Sequence, residues 1–146
     1  MEIERLTTYK AEDFEALAVL MAQLSSRLVL TEERLREVLA DPGVRLYVLR
    51  DSGRIVGCAE LCLYESLSAR KAMVEEVVVL EEYRGRGLGR ALLEHLLAEA
   101  RREGPMELYL TSNPKRVAAN ALYRSLGFEQ KSTNCYRMDV GTERNV

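Results

Sequence analysis

Residues 73 to 102 constrain this chain more than any others, because a strand, a glycine turn and a helix follow one another without a break. Met73-Val74-Glu75-Glu76-Val77-Val78-Val79-Leu80 is rich in β-branched residues and reads as a buried strand. After it, Leu88, Ala91, Leu92, Leu96 and Ala100 recur with the period of an amphipathic helix. Between them runs Arg84-Gly85-Arg86-Gly87-Leu88-Gly89. A glycine-rich turn that opens a helix aims several unpaired backbone N–H groups at one point, and the helix dipole adds positive potential there. Glycine also lets the backbone approach a guest with no Cβ in the way. An anion such as phosphate fits that geometry, and Arg84, Arg86 and Arg90 surround it.

The rest of the chain narrows the class. Its 146 residues suit one domain with a real core, and 47% hydrophobic with 30% charged residues is a globular composition. A net charge of -2 and a pI of about 5.6 argue against a general nucleic-acid partner, so the arginines form a local concentration on a mildly acidic protein. No apolar run approaches a membrane span and the first residues do not resemble a signal peptide, so no membrane partner and a cytoplasmic location are expected. Cys58, Cys62 and Cys135 lack metal-ligand or disulfide spacing, Cys58 and Cys62 read as small core hydrophobes on one strand face, and no metal is expected. His95, the single histidine, lies mid-helix and reads as an edge-of-core residue.

Periodicity and turn residues order the elements. Ile3 to Thr7 reads as a strand, and Glu12 to Leu24 as a helix with its stripe at Phe14, Leu17, Leu20, Met21 and Leu24. Thr31 is the expected N-cap of a helix through Ala40, which Asp41-Pro42-Gly43 stops. Val44 to Arg50 and Arg54 to Leu63 form a hairpin about Asp51-Ser52-Gly53, and Glu65 to Lys71 is a loop. Gly104-Pro105 ends the long helix, and Met106 to Thr111 reads as a strand. A short helix from Arg116 to Leu126 is followed by Gly127 as a left-handed C-cap, with Phe128 packing back. Ser132 to Val140 alternates enough for a last strand, and residues 141–146 read as a frayed tail. The order β-α-α-β-β-β-α-β-α-β is that of one mixed α/β domain spanning residues 1–146.

Two familiar glycine motifs are excluded. The chain contains no Gly-x-x-x-x-Gly-Lys-[Ser/Thr] string. Its glycines at 85, 87 and 89 do not match Gly-x-Gly-x-x-Gly, because Arg90 holds the third position. A second constellation lies downstream, Asn120-Ala121-Leu122-Tyr123-Arg124-Ser125-Leu126-Gly127-Phe128. On a helix, Arg116, Asn120 and Tyr123 share one face, while Ala119, Leu122 and Leu126 share another.

Taken together, Arg-x-x-Gly-x-Gly after a valine-rich strand and Asn-x-x-Tyr before Gly-Phe resemble the GNAT superfamily of acetyl-CoA-dependent N-acetyltransferases. The resemblance is strong over residues 72 to 128 and rests on element order elsewhere. It implies an α+β fold: a mixed, mostly antiparallel sheet flanked by helices, with splayed central strands. It implies acetyl-CoA as co-substrate, its pyrophosphate on the amides of Arg84, Gly85, Arg86, Gly87, Leu88 and Gly89 with Arg90 beside them. Val77 and Val79 would pair their main chain with the pantetheine arm. An N–H of Val77 or Val78 would polarise the thioester carbonyl. Asn120 resembles the family's cofactor-contacting asparagine and Tyr123 the tyrosine beside the sulfur. Leu80-Glu81 stands where relatives often have Asp-Pro.

Chemistry adds its own demands. An amine with a pKa near 10.4 must lose a proton before it attacks, and a thiolate leaves more readily if protonated. Tyr123 is the expected acid. Glu75 and Glu76 are neighbours in a strand and so face opposite ways. Glu75 has the parity of Val77 and Val79 and, in the resemblance, matches a position where many relatives carry an acidic residue, which makes it the expected base unless a β-bulge overturns the parity; structural hydrogen bonding or ion pairing is the alternative for both carboxylates. The acceptor is expected to be a small-molecule amine, since no peptide-docking extension stands out. A protein lysine or N-terminal amine, or a non-catalytic acyl-CoA sensor, are the competing readings. The last strand is a candidate edge for a homodimer.

Overall fold

Two residues in left-handed backbone set the register of the central sheet. Ser52 (φ 51°) and Gly53 (φ 85°) form the two-residue turn between β2 (Val44–Asp51) and β3 (Arg54–Glu65), with Asp51 paired to Arg54. Positive φ at both central residues matches the strands' twist, so the hairpin closes with Arg50 opposite Ile55, and one residue further on the register shifts to put Leu49 opposite Gly57. The computed structural model describes residues 1–141. They fall into two compact units, Met1–Leu110 and the residues from Thr111 on.

In the first unit, β1 (Glu2–Leu6), β2, β3, β4 (Arg70–Val79) and β5 (Glu107–Tyr109) form one sheet in that spatial order. All neighbours are antiparallel except β4 and β5, which run parallel. This is the mixed, mostly antiparallel sheet the sequence leads one to expect. The strands β3 and β4 are longer than their apolar runs suggest. They reach through Glu65 and from Arg70, so the expected loop at 65–71 shrinks to four residues held by Ser66, whose N–H and hydroxyl both donate to the Ala69 carbonyl.

Helix α1 (Ala11–Leu24) and α2 (Glu32–Ala40) pack with β2, β3 and β4, and α3 (Leu88–Glu103) packs against the same three strands. Leu92, Leu93, Leu96 and Ala100 are the buried stripe of α3. Burying each leucine removes apolar surface worth about 1.5–3 kcal/mol. Gly57 lets α3 come close: a Cβ there would lie 3.4 Å from Leu92 Cδ1 and 3.1 Å from the Val78 carbonyl. Helix α1 is pinned by charge. Arg50 donates to both carboxylate oxygens of Asp13, at 2.8 and 3.0 Å, to Glu4 at 2.6 Å and to the Gly53 carbonyl at 3.0 Å. Asp13 is only 3% exposed, so its charge depends on that fork.

His95 sits at the core edge as expected, its ring 5.2 Å from that of Tyr47. Burial, then the charge of Arg102, lowers its pKa. Cys58 is buried, Cys62 half-buried and Cys135 exposed, all as free thiols. Among the described residues no helix is long and apolar enough to cross a membrane, and no group of three or more ligand side chains is arranged for a metal ion.

The second unit holds α4 (Val117–Ser125). The expected last strand, Ser132 to Val140, is not formed. Tyr136, Met138 and Val140 are more than four-fifths exposed, and none of these residues has a ladder partner among the described residues. Alternation marks a segment that fits one face of a sheet, but a strand also needs a neighbour to bond. Residues 142–146 of the expected tail lie outside the described residues.

Candidate active site

The glycine turn is built by what it lacks. A short 3-10 turn, Glu81–Tyr83, leads in from β4, and Gly85 (φ 77°) and Gly87 (φ 73°) then take left-handed backbone. Gly87 is the N-cap of α3 and offers no side-chain hydrogen bond, and no acidic residue occupies the first turn. Among the described residues, the backbone N–H groups of Gly85, Arg86, Gly87, Leu88 and Gly89 donate to nothing. A Cβ at Gly85, Gly87 or Gly89 would meet no described atom within 4 Å, so the turn is uncrowded on the side where side chains would stand. Arg84 and Arg86 are exposed, and the Arg86 guanidinium lies 4.8 Å from the centroid of the Tyr83 ring. The Tyr83 hydroxyl donates to Asp51 at 2.7 Å, tying the turn to the hairpin tip. Arg90 donates to Glu94 at 2.8 Å. Consecutive unpaired N–H groups at a helix start, flanked by guanidinium groups, form an anion site by elementary electrostatics.

The strand before the turn changes character halfway along. Lys71, Ala72 and Met73 pair with β5, and from Val74 onward that edge of β4 has no strand beside it among the described residues. β5 ends at Tyr109, so it is the shortness of β5 that leaves this edge of β4 open. The ladder to β3 is also interrupted. Glu60 pairs with Glu75 and Cys58 with Val78, so three steps along β4 answer two along β3. Glu76 supplies the extra residue, at φ 50°.

That bulge overturns the expected parity. Paired residues share a face, so Glu75 lies with Val78, Cys58 and Glu60, not with Val77 and Val79. It also separates the three valines. The Leu80 N–H donates to the Val56 carbonyl at 2.8 Å, which makes Val79 and Gly57 a non-hydrogen-bonded pair. The main-chain groups of Val79 therefore face the open edge, and those of Val78 face β3. Val78 is thus no candidate for holding a ligand carbonyl, whereas Val77 remains one. The Val79 carbonyl is already taken: Gln23 of α1 donates to it at 2.7 Å and accepts from the Glu81 N–H at 2.9 Å.

Glu60 is the residue that sequence reasoning missed. It sits half-buried in β3, directly opposite Glu75, with no hydrogen bond or ion pair among the described residues. Burial, then the charges of Glu76 and Glu75, push its carboxyl up to about 7, against a smaller lowering by Arg34. Glu75 is raised by desolvation, and Glu76 by desolvation and then by Glu75. The available signal was a lone carboxylate inside the apolar run Ile55 to Leu63.

In the second unit, the end of α4 is closed by hydrogen bonds and packing. The Phe128 N–H donates to the Tyr123 carbonyl at 3.1 Å and the Gly127 N–H to the Arg124 carbonyl at 3.0 Å. With Gly127 at φ 101°, this is a Schellman end, and the Phe128 ring stands edge-on to Tyr123 at 6.3 Å. The Gly-Phe pair thus fixes the Tyr123 ring. Asn120 donates through its amide to the carbonyls of Asn113 at 3.0 Å and Arg116 at 2.8 Å. It shapes the loop before α4 and leaves its own oxygen for another partner.

A mixed sheet whose last strand stops short of its neighbour, a bulge, and a glycine turn opening a helix make an α+β fold with an anion site at the helix start. The sequence pattern of the Acetyltransferase (GNAT) family matches residues 7–128, and the chain belongs to that family. An uncharacterized N-acetyltransferase of Mycobacterium bovis is 30% identical over 116 residues, covering 80% of this chain and 72% of the relative. A ribosomal protein bS18-alanine N-acetyltransferase of Escherichia coli is 43% identical over 75 residues, covering 50% of this chain and 51% of its own length. A solved structure, a putative acetyltransferase from Agrobacterium tumefaciens, superposes with a TM-score of 0.82 at 26% identity, covering 95% of this chain and all of that one.

Proposed function

We propose that the chain transfers an acetyl group from acetyl-CoA to a primary amine by direct attack, and that the acceptor is a small molecule. The observation that carries the donor is the row of five unpaired N–H groups from Gly85 to Gly89, in an uncrowded turn. The residues present suit a pyrophosphate, with Arg84, Arg86 and Arg90 as counter-charges. When bound, acetyl-CoA supplies the thioester. The open edge of β4 offers the Val77 main chain and the Val79 N–H to an extended arm, in the manner of an added strand. The Val77 N–H is the candidate donor to the thioester oxygen. In the second unit the free oxygen of Asn120 is a further cofactor contact.

Glu75 is the proposed base, on its match to a position where the resembled family often carries an acidic residue, since the bulge removes the parity argument; Tyr123 is the proposed acid. The acceptor ammonium gives a proton to Glu75, through water, and the neutral nitrogen bonds to the thioester carbon. As the carbon–sulfur bond breaks, the Tyr123 hydroxyl gives its proton to the sulfur, and the second proton shed by the nitrogen restores the hydroxyl. The Cys58 and Cys62 thiols are pushed up by burial and by Glu60, which makes them poor nucleophiles, so attack is read as direct rather than through an acyl-enzyme.

Calorimetry tests the donor: no binding of acetyl-CoA at millimolar ligand would sink the reading. For the acid, Tyr123→Phe is expected to lower kcat by about 10²–10⁴-fold with little change in acetyl-CoA affinity; an unchanged kcat removes Tyr123 from the mechanism. A panel of amines in a thiol-release assay tests the acceptor. A protein N-terminal amine is the second reading, favoured by the likeness to the E. coli ribosomal-protein enzyme. It predicts turnover of peptides beginning with alanine and none of free small amines. Tight binding of acetyl-CoA without turnover of any amine would mark a non-catalytic sensor.

A further inference from the structure

Glu60 has a place in the sheet that the reaction as derived does not use. It stands across the β3–β4 ladder from Glu75, on the face shared with Cys58, Cys62 and Val78. Like charges directly opposite in a ladder repel, and here the pair sits next to a bulge that brings in a third carboxylate, Glu76. Leu46 of β2, on the other side of Glu60, brings no charge. The buried face of α1 is Leu17, Leu20 and Met21, with its Asp13 committed to Arg50. From α2, Arg34 faces the group, but it already donates to Glu37 at 3.1 Å. The thiols of Cys58 and Cys62 are pushed up by burial and by Glu60, so neither adds a compensating charge. Two carboxylates facing each other with no dedicated cation cannot both hold full charge cheaply.

We propose that Glu60 is a positioning residue for the reaction: it shares one proton with Glu75 across the ladder and so keeps that base poised to take a proton from an ammonium near neutral pH. The inference rests on the reading of Glu75 as base. Without Glu60, Glu75 loses the partner for the shared proton, keeps only the raise that its own burial gives, and is a poorer proton acceptor. The pairing continues the regular register of Cys62 with Met73 and Leu61 with Val74, and the bulge follows it, bringing Glu76 in beside the pair.

Two measurements on the full chain test this. Carbon-detected NMR titration of the glutamate side chains needs no turnover. It is expected to show coupled steps for Glu60 and Glu75, one of them near pH 7. Glu60→Gln should leave Glu75 titrating in one step at least a full unit lower, and Glu75→Gln should lower the Glu60 step from the exposed side of the pair. The pH profile of kcat/KM for the amine is the second readout. Its acid limb should move down by more than one unit in Glu60→Gln and return in Glu60→Asp, with the KM for acetyl-CoA unchanged within about twofold. Independent titration of the two carboxyls, or an acid limb that stays put in Glu60→Gln while transfer proceeds, overturns the proposal and leaves the acetyltransferase reading intact. Absence of transfer to any amine, with the coupled titration present, overturns the assigned reaction and the base role together.

Discussion

The starts of α2 and α3 are built on opposite plans. Thr31 caps α2, accepting from the Arg34 N–H at 3.1 Å, and Glu32 and Glu33 put negative charge in its first turn. Helix α3 starts on Gly87, with no capping side chain, no acid in its first turn and arginines around it. The first helix satisfies its own dipole and donors; the second leaves both for a guest. The sheet repeats the contrast. Arg50 has Asp13, Glu4 and the Gly53 carbonyl to itself, whereas Glu60 faces another carboxylate. Polar groups closed by the chain's own residues hold the fold, and those left open mark where chemistry is expected.

Giving α3 the plan of α2 should have the largest effect. Gly89→Asp puts an acid in the first turn, at a position where a Cβ meets nothing within 4 Å. Acetyl-CoA affinity is expected to fall roughly a hundredfold, about 2.7 kcal/mol, while the melting temperature holds or rises. Calorimetry and a thermal melt read the two, and a parallel loss of both would break the contrast.

The open carboxylate gives a smaller, pH-dependent effect. The Glu60 carboxyl is raised to about 7 in the folded protein, above its unfolded value near 4.3, so the native state binds more protons between these limits. Its contribution is fully present below the unfolded value and is lost as pH rises through about 7. Chemical denaturation should therefore show stability falling by about 1–2 kcal/mol across that window, and the slope should flatten in Glu60→Gln. The smallest effect belongs to the closed terminus. Thr31→Ala should cost about 1 kcal/mol of stability and leave acetyl-CoA binding unchanged. A shift in affinity there would mean that α2 also serves the ligand.

Local signals carried most of this fold. The periods of α1, α3 and α4, the Thr31 cap, the turn at Ser52-Gly53 and the Gly127-Phe128 helix end are all written within a few residues, and each is where the sequence puts it. What escaped was non-local. The bulge depends on how β3 and β4 register, and Glu76 carries no mark of its positive φ, which glycine or asparagine would have announced. That the Gly motif opens a helix and that Asn-x-x-Tyr lies on one was legible for the same local reason, whereas Glu60 shows in the sequence only as a lone carboxylate in an apolar run and its pairing with Glu75 needs the strand register. Ser132 to Val140 failed in the opposite direction: its alternation is local, but a strand is a relation between two segments.

The tie from the Tyr83 hydroxyl to Asp51 has an experimental use. Tyr83 lies under the Arg86 guanidinium, so a tug on that arginine is transmitted through the ring to the tip of a hairpin some thirty residues earlier. The amides of Ser52 and Gly53 touch no ligand in this scheme, yet their hydrogen-exchange rates should slow when the glycine turn is filled. The hairpin tip is a remote gauge of occupancy.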